Sequence, residues 1–503
     1  MARAPLAVFA LLLAAGAASA QDGALVSTPQ QTPRSVPSEI EGAIADDEQA
    51  PVGPAPGTPT LDLNGAVRLA LEQNFSLLDS SAAVTASRWQ RSAASGEFLP
   101  QVVPLFSRGD GRTLFGLDVS QRLPWTGGTL VATGRYVSQP DPAAGVEPLF
   151  PRSTDLRLLL SQPLLRGAGP NATYFALTNA KRAVARQERT FELARQRLAV
   201  QVASAFYSVI AQRQLFEVAD QSLQRTESLL DASDARLKVG MASKLDVFRA
   251  ELQAAQAREG MIRTTAALET ALEQFRGILA LPPDNPVEPE GVVLEPPKEE
   301  EEEEPVEMLV RQALEHRLEL KEARDRVSDA RRASSLARQD LLPQVDLNLG
   351  VTQLGFGRTF GGAFGMRDRQ IEFFISASYP FRQTTQKANR AVSEISVQVS
   401  ERAVAQIVLE IEREVHLAAR DLDRIRQSVV VQLQSVGVAE QQRRLAVLRY
   451  QRGLASNFDV VDAESNYVVA RSALVSLLTS YAVARLELRR ATGTLSVDTE
   501  FAP

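Results

Sequence analysis

Apolar residues recur every seven positions along two long stretches of the chain, at 202–237 and at 408–436. Most positions between them are small or polar, so each apolar seam is narrow, as in antiparallel coiled coils. This period predicts long helices, of which the first extends from about residue 173 to residue 239. A helix of that length is on the order of 100 Å long. We therefore expect an elongated, mainly helical molecule.

Shorter segments alternate apolar and polar residues, which is the pattern of β-strands with one buried face. Five such segments are found: 113–121, 129–138, 154–162, 345–351 and 371–379. The last two flank a Gly-rich stretch and predict a hairpin, and 129–138 with 154–162 predict a second strand pair. The segment 113–121 has no assigned place. Pro163 and Pro380 are expected to end a strand at each strand-to-helix junction, because proline donates no ladder hydrogen bond.

The two halves of the chain repeat each other. The segment RLKVGMASKLDVFRAELQAAQAR, from Arg236, aligns with RYQRGLASNFDVVDAESNYVVAR, from Arg449. The sequence LPQV at 99–102 recurs at 342–345 with a larger shift, so the first copy carries about 30 extra residues between these landmarks, which suggests a longer loop in that copy. Each copy is predicted as helix, hairpin, long helix, turn and helix.

Both helix-to-helix turns carry the same capping signals. Gly240 and Gly453 are suited to the left-handed conformation that ends a helix. An S-x-x-D capping pattern then starts the next helix in each copy, with Ser243 and Asp246 in the first and Ser456 and Asp459 in the second. Capping is therefore one explanation of both aspartates.

Asp462 needs a second explanation, because capping does not account for it. It follows Asp459 by three residues, so the two carboxylates share one helical face near the start of a helix. In a threefold assembly they would form two stacked rings of negative charge. Such rings attract cations and constrict a pore.

The composition removes most chemical functions. The 503 residues include 55 Lys and Arg against 61 Asp and Glu, a net charge of −6, so no basic face for nucleic acid is indicated. The absence of cysteine excludes thiolate nucleophiles, zinc–thiolate sites and a lipid anchor on cysteine. His316 and His416 stand alone in helical patterns, and we expect surface or packing roles for them. No cofactor and no metal site is predicted.

One segment, GAGPNA at 167–172, fits the fingerprint of a dinucleotide-binding turn. The fingerprint requires a second parallel strand soon after the helix, with an acidic residue for the ribose. The predicted helix instead continues for about 60 residues. We therefore predict that the chain is not an enzyme.

The sequence divides the chain into six parts: a signal peptide at 1–20, a Pro-rich disordered leader at 21–59, a first repeat at 60–281, a Pro/Glu-rich linker at 282–305, a second repeat at 306–494 and a tail at 495–503. The apolar run near the N-terminus is shorter than the roughly 20 residues of a membrane-spanning helix, which disfavours an anchor. A tether or docking strand is the alternative for the leader. The acidic run Glu299–Glu304 is expected to stay solvated, with calcium binding as its alternative.

Several motifs together resemble the TolC-type outer-membrane efflux proteins, or outer membrane factors, of Gram-negative bacteria. They are LDLNGAVRLALEQN at 61–74, SQPLLRGAG at 161–169 and the paired turns VGMASKLDV and RGLASNFDV. The resemblance implies a homotrimer in which each chain gives about four strands to a twelve-stranded outer-membrane β-barrel. Paired helices would continue it as a long periplasmic coiled-coil barrel.

The resemblance also implies roles for individual residues. Asp459 and Asp462 match the acidic pore constriction, and Asp246 matches the facing turn of the first copy. The expected periplasmic tip, where an adaptor protein would bind, comprises seven residues: Gly240, Met241, Ser243, Asp246, Gly453, Leu454 and Ser456. Lys244 and Asn457 depart from the family pattern, so the links that would close the tip have no assignment.

The predicted function is a passive exit duct of a tripartite efflux or type I secretion system. Its expected partners are two further copies of the chain, a periplasmic adaptor, an inner-membrane transporter and outer-membrane lipid. The alternative is a soluble exported coiled-coil protein with a structural or adaptor-like role. Two copies with amphipathic strand pairs favour the duct, because an adaptor needs only one helical hairpin.

Overall fold

The computed structural model describes residues 59–109, 111–139, 150–297, 304–366 and 368–501. The predicted signal peptide, the leader up to residue 58 and residues 299–303 of the acidic run lie outside the described residues. The structure therefore does not test the predictions for these segments.

Two helices of about 100 Å dominate the molecule. They are α4, Phe175–Lys238, and α9, Thr384–Gln451. The other described helices are α1 (Leu63–Gln73), α2 (Phe75–Gly96), α3 (Pro170–Thr173), α5 (Lys244–Ile278), α6 (Val306–His316), α7 (Leu318–Gln339), α8 (Phe360–Ala363), α10 (Asn457–Thr492) and α11 (Val497–Glu500). The long helix predicted at 173–239 is confirmed.

The long helices pair into two hairpins along the predicted seams. Helix α4 packs along α5, and α9 packs along α10, while α2 and α7 extend the two packed layers. Val202, Val209, Val415 and Val429 are fully buried at the heptad positions. The narrow apolar stripe therefore holds the helices together as predicted. Among the described residues, α10 is long and apolar enough to cross a membrane, but it packs against α4 and α9 within this helical body.

A short parallel strand pair lies against the helical body. Strand β1, Thr60–Leu61, pairs in parallel with β6, Glu288–Pro289. The buried Arg213 guanidinium donates to Glu288 Oε2 at 2.5 Å and to the carbonyl oxygen of Pro289 at 2.7 Å. The start of the first repeat and the linker after it are thus tied to the same helix.

One antiparallel sheet of six strands lies at the end of the helical body opposite the helical turns. Its strands are β2 (Gln101–Gly109), β3 (Arg112–Arg122), β4 (Thr129–Ser138), β5 (Arg152–Pro163), β7 (Gln344–Gly357) and β8 (Asp368–Ser378), in the spatial order β2-β3-β4-β5-β7-β8. The first repeat supplies four strands and the second supplies two. The two repeats meet where β5 pairs with β7.

The described residues form six strands in this sheet, which corrects the expectation of about four strands per chain. The unplaced segment 113–121 is β3, and a strand that the sequence analysis missed, β2, pairs with it from Gln101 to Gly109. Pro104 and the neighbouring Val103 and Leu105 break the alternation of β2. Within one chain β2 is an edge strand, where proline is tolerated. The extra residues of the first copy thus build additional sheet.

The sheet has one apolar and one polar face, since paired residues share a face and successive residues alternate. Six residues represent the apolar face, one from each strand in spatial order: Phe106, Leu117, Leu130, Leu158, Leu349 and Phe373. Phe106 is 65% exposed and Phe373 is 68% exposed. Most of this face is therefore uncovered within one chain.

The polar face carries ion pairs between strands. Arg135 on β4 lies 3.6 Å from Asp118 on β3, and Arg157 on β5 lies 3.4 Å from Glu372 on β8. Asn348 donates to Ser376 Oγ at 3.2 Å. All of these side chains lie on the face opposite Phe106 and Phe373, as the strand register requires.

Candidate functional site at the helical tips

The two helical hairpins end in turns of the same geometry. Gly240 and Gly453 have φ angles of +76° and +72°. In the first turn the Met241 N–H donates to the carbonyl of Arg236 at 2.8 Å, and in the second the Leu454 N–H donates to that of Arg449 at 2.8 Å. These are the six-to-one bonds of a Schellman motif, which needs a left-handed residue. The predicted glycine caps are confirmed.

A capping box follows each glycine. Asp246 accepts hydrogen bonds from the Ser243 hydroxyl at 2.7 Å and from the Ser243 N–H at 3.1 Å. Asp459 accepts the equivalent bonds from the Ser456 hydroxyl at 2.8 Å and N–H at 2.7 Å. Both predicted S-x-x-D caps are confirmed.

The capping bonds also set the charge of these aspartates. Hydrogen bonds from the side chain and then the backbone of Ser243 lower the pKa of Asp246, and those of Ser456 lower the pKa of Asp459. Each bond favours the ionised carboxylate. Both tips therefore carry fixed negative charge at neutral pH.

Asp462 lies one turn beyond Asp459 on an exposed face of α10. Its Oδ2 accepts a bond from the Asn466 side chain at 3.2 Å and takes no part in the capping box. The aligned position of the first repeat holds Arg249, whose guanidinium lies 5.7 Å from the Phe458 ring centroid. The pair of stacked carboxylates thus belongs to the second repeat.

Asn457 joins the two tips of the same chain, which the sequence analysis did not find. Only 2% of Asn457 is exposed, and its amide donates to the carbonyl of Asp246 at 2.7 Å and to Ser233 Oγ at 3.1 Å. Ser233 is also 3.2 Å from the Tyr450 hydroxyl, and the Arg236 guanidinium stacks 4.0 Å from the Tyr450 ring centroid. The signal in the sequence was the difference between repeats, since the position aligned with Asn457 holds Lys244.

A second polar link lies farther from the tips. Arg225 on α4 donates from Nε to both carboxylate oxygens of Glu464 on α10, at 3.0 and 3.1 Å. Glu464 is 5% exposed, so this pair is largely shielded from water. Removing Arg225 alone would leave the Glu464 carboxylate buried without its partner, which is destabilising.

Apolar side chains surround both turns. Met241 and Leu454, at the turns themselves, are 76% and 66% exposed. Phe248 and Phe458, in the first turns of α5 and α10, are also exposed. The tips thus combine ionised caps with an uncovered apolar surface.

The two prolines named in the sequence analysis lie at the opposite end of the helical body. Pro163 is the last residue of β5 and pairs with Asp346. Pro380 follows the end of β8 by two residues. Near these junctions, Gln339 donates to the carbonyls of Leu165 and Ala168, at 3.0 and 2.8 Å.

Long helical hairpins joined to a sheet with an uncovered apolar face define a class of membrane protein with a large helical extension. The profile of the family described as "Outer membrane efflux protein" matches residues 66–281 and 309–494. This chain belongs to that family. It is an outer-membrane protein with a large periplasmic part, and the resemblance read from its motifs is confirmed.

Individual relatives agree with this assignment. Outer membrane protein TolC of Escherichia coli (strain K12) is 23% identical over 339 residues, which cover 64% of this chain and 66% of TolC. The crystal structure of VceC from Vibrio cholerae superposes with a TM-score of 0.66 at 18% identity, covering 86% of this chain and 96% of VceC. MtrE of Neisseria gonorrhoeae gives 0.63 at 19% identity, covering 86% and 88% of the two chains.

Acid should loosen the tips, because the lowered pKa of a capping aspartate stabilises the helix start only while the carboxylate is ionised. This contribution is complete above the ordinary aspartate pKa of about 3.9 and is lost as the pH falls through the lowered value. A spin label at Leu454 should therefore become mobile only below about pH 4. The Asp459→Asn variant should be mobile throughout, and a pH-independent spectrum of the unmutated tip would contradict the assignment.

Proposed function

We propose that the chain is the outer-membrane exit duct of a tripartite efflux or type I secretion system. The observation that carries this proposal is the two-faced sheet joined directly to long helical hairpins. An apolar face suits lipid, and a polar face suits a water-filled passage. The helices would continue that passage across the periplasm. MtrE is described as an outer membrane channel, and CusC is described in terms of transmembrane channel formation.

Three copies would enclose the duct. An open sheet in lipid would leave backbone groups unpaired at both edges, so closure with other copies satisfies them. The uncovered apolar face disfavours a soluble coiled-coil protein, because exposed apolar patches of this kind bind membranes or partners. The chain would be passive, with energy supplied by an inner-membrane transporter.

The helical tips would bind a periplasmic adaptor. Met241 and Leu454 offer apolar contacts, and their turns are rigid because a Schellman motif and a capping box hold each one. Asp459 and Asp462 would line the narrowest point. Since the first repeat has Arg249 at the aligned position, three copies would present one Asp462 ring.

The oligomeric mass tests the duct itself. Protein extracted from outer membranes should give three chains per particle by light scattering after the detergent contribution is subtracted. A soluble monomer or dimer recovered from the periplasm without detergent would refute the duct.

The acidic constriction should make the channel sensitive to divalent cations. The double variant Asp459→Asn, Asp462→Asn should lose most of the block of single-channel current by divalent cations, because the ring charge is removed. Asp246→Asn is the matched control, since it breaks the equivalent capping box in the other repeat and leaves both ring carboxylates. Equal block in the double variant and the unmutated protein would argue against the constriction.

The second turn should be needed for adaptor coupling. Gly453→Val places a β-branched residue at a φ of +72°, which distorts the turn although no atom lies within 4 Å of the new Cβ. Export in cells should fall while the amount of trimer in the outer membrane stays unchanged. Gly437→Val is the matched control, because Gly437 lies inside α9 with equally open surroundings. Normal export by the Gly453→Val variant would show that the second turn is not needed for binding the adaptor.

A further inference from the structure

The hairpin β2–β3 is a continuous part of the sheet. Nine residue pairs join β2 to β3, and ten pairs join β3 to β4. Gly109 pairs with Arg112, and Gly111, just before Arg112, has a φ of +70°, a left-handed conformation that suits a tight hairpin turn. The hairpin therefore extends the sheet that the other four strands form.

The hairpin also has the same two faces as the rest of the sheet. Phe106 and Phe115 form a pair on the apolar face, with ring centroids 5.0 Å apart. Asp118 lies on the polar face and reaches Arg135 of β4. Strands β2 and β3 have nine and eleven residues, the length of membrane-spanning strands. The two-faced arrangement of β2 and β3, and their lengths, are therefore those of membrane-spanning strands.

The two edges of the sheet are β2 and β8. Strand β2 runs away from the helical body and β8 runs back towards it, so copies placed side by side bring these edges together antiparallel. All but one residue of β2 and all but one of β8 are exposed. Each edge is available to a second copy of the chain.

The stagger of the strands fits closure into a barrel. The row of paired residues that begins at Gln101, the first residue of β2, reaches Glu372, which lies six residues before the end of β8. The row is thus displaced along the strands by six residues over five strand-to-strand steps, slightly more than one residue per strand. With about 3.3 Å per residue and about 4.8 Å between strands, it corresponds to a strand tilt of about 35° to 40°. Membrane barrels have this tilt.

We propose that three copies of this chain close an outer-membrane barrel of eighteen strands, six from each, through contacts between β8 of one copy and β2 of the next. The proposal rests on the proposed function and replaces the twelve strands that the family resemblance implied. Barrel diameter grows about in proportion to strand number, so this barrel would be about 1.5 times as wide as one of twelve strands. The outer-membrane part of the duct would then admit bulkier cargo, and the narrow point would remain at the helical tips.

Disulfide crosslinking can test the contact directly, because the chain contains no cysteine. Ser376→Cys places a thiol on the polar face of β8. If Ser378 at the end of β8 lies opposite Gln101 at the start of β2 in the next copy, Ser376 lies opposite Val103 of that copy. If the register between the two copies is shifted by two residues, Ser376 lies opposite Leu105 instead. The double variants Ser376→Cys, Val103→Cys and Ser376→Cys, Leu105→Cys would be oxidised in isolated outer membranes. One of them should give covalent dimers and trimers on a gel without reductant.

A twelve-stranded barrel would instead bring β8 against β4. Ser376→Cys combined with Val131→Cys or Thr133→Cys probes this contact on the same face, and Ser376→Cys alone controls for random oxidation. Crosslinks from β8 to β4 in a particle of three chains would overturn the eighteen-stranded barrel and leave the duct intact. Absence of crosslinks at both edges in such a particle would also overturn it, whereas a soluble monomer would refute the duct itself.

Discussion

Unpaired backbone groups cost several kilocalories per mole each in hydrocarbon, and this constraint governs the rest of the molecule. The sheet exposes an apolar face, so it belongs in lipid, yet two of its edges are open within one chain. Other copies must therefore satisfy those edges. In the proposed ring of copies, all helical hairpins would lie side by side and every Asp462 would face one axis. The assembly of the helices thus follows from the hydrogen bonding of the strands.

The helices keep a fixed alignment from the sheet to the tips because the apolar seam that pairs them is narrow and regular. The seam around Val209 and Val429 is buried, while most of the remaining helical surface is polar or only partly covered. Such a seam fixes the alignment of two helices and leaves their other faces free for neighbouring copies. The buried Arg225–Glu464 and Asn457 links then join the two hairpins of one chain near the tips. Movement that separates the two hairpins at the tips must therefore break both polar links.

Local features of this fold could be predicted from the sequence, and long-range features could not. The heptad seams, the glycine caps and both capping boxes depend on residues within one turn or one helix, so spacing was sufficient. Strand β2 was missed because Pro104 and its apolar neighbours break the alternation, although an edge strand tolerates both. The Asn457 network joins residues more than 200 positions apart, and no local pattern marks it. The resemblance to a family implied a trimer with about four strands per chain, whereas the sheet has six strands.

The differences between the two repeats are as informative as their similarity. Both repeats retain the glycine and the capping box, because each must turn a long hairpin. The second repeat then has Asn457 and Asp462 where the first has Lys244 and Arg249. The second repeat thus supplies the two stacked carboxylates and the amide donor that joins the tips, and the first supplies two additional strands at the opposite end. In the proposed barrel, a duplicated chain would change the width of its membrane part without changing the turns at its tips, because about 100 Å of helix separates the two.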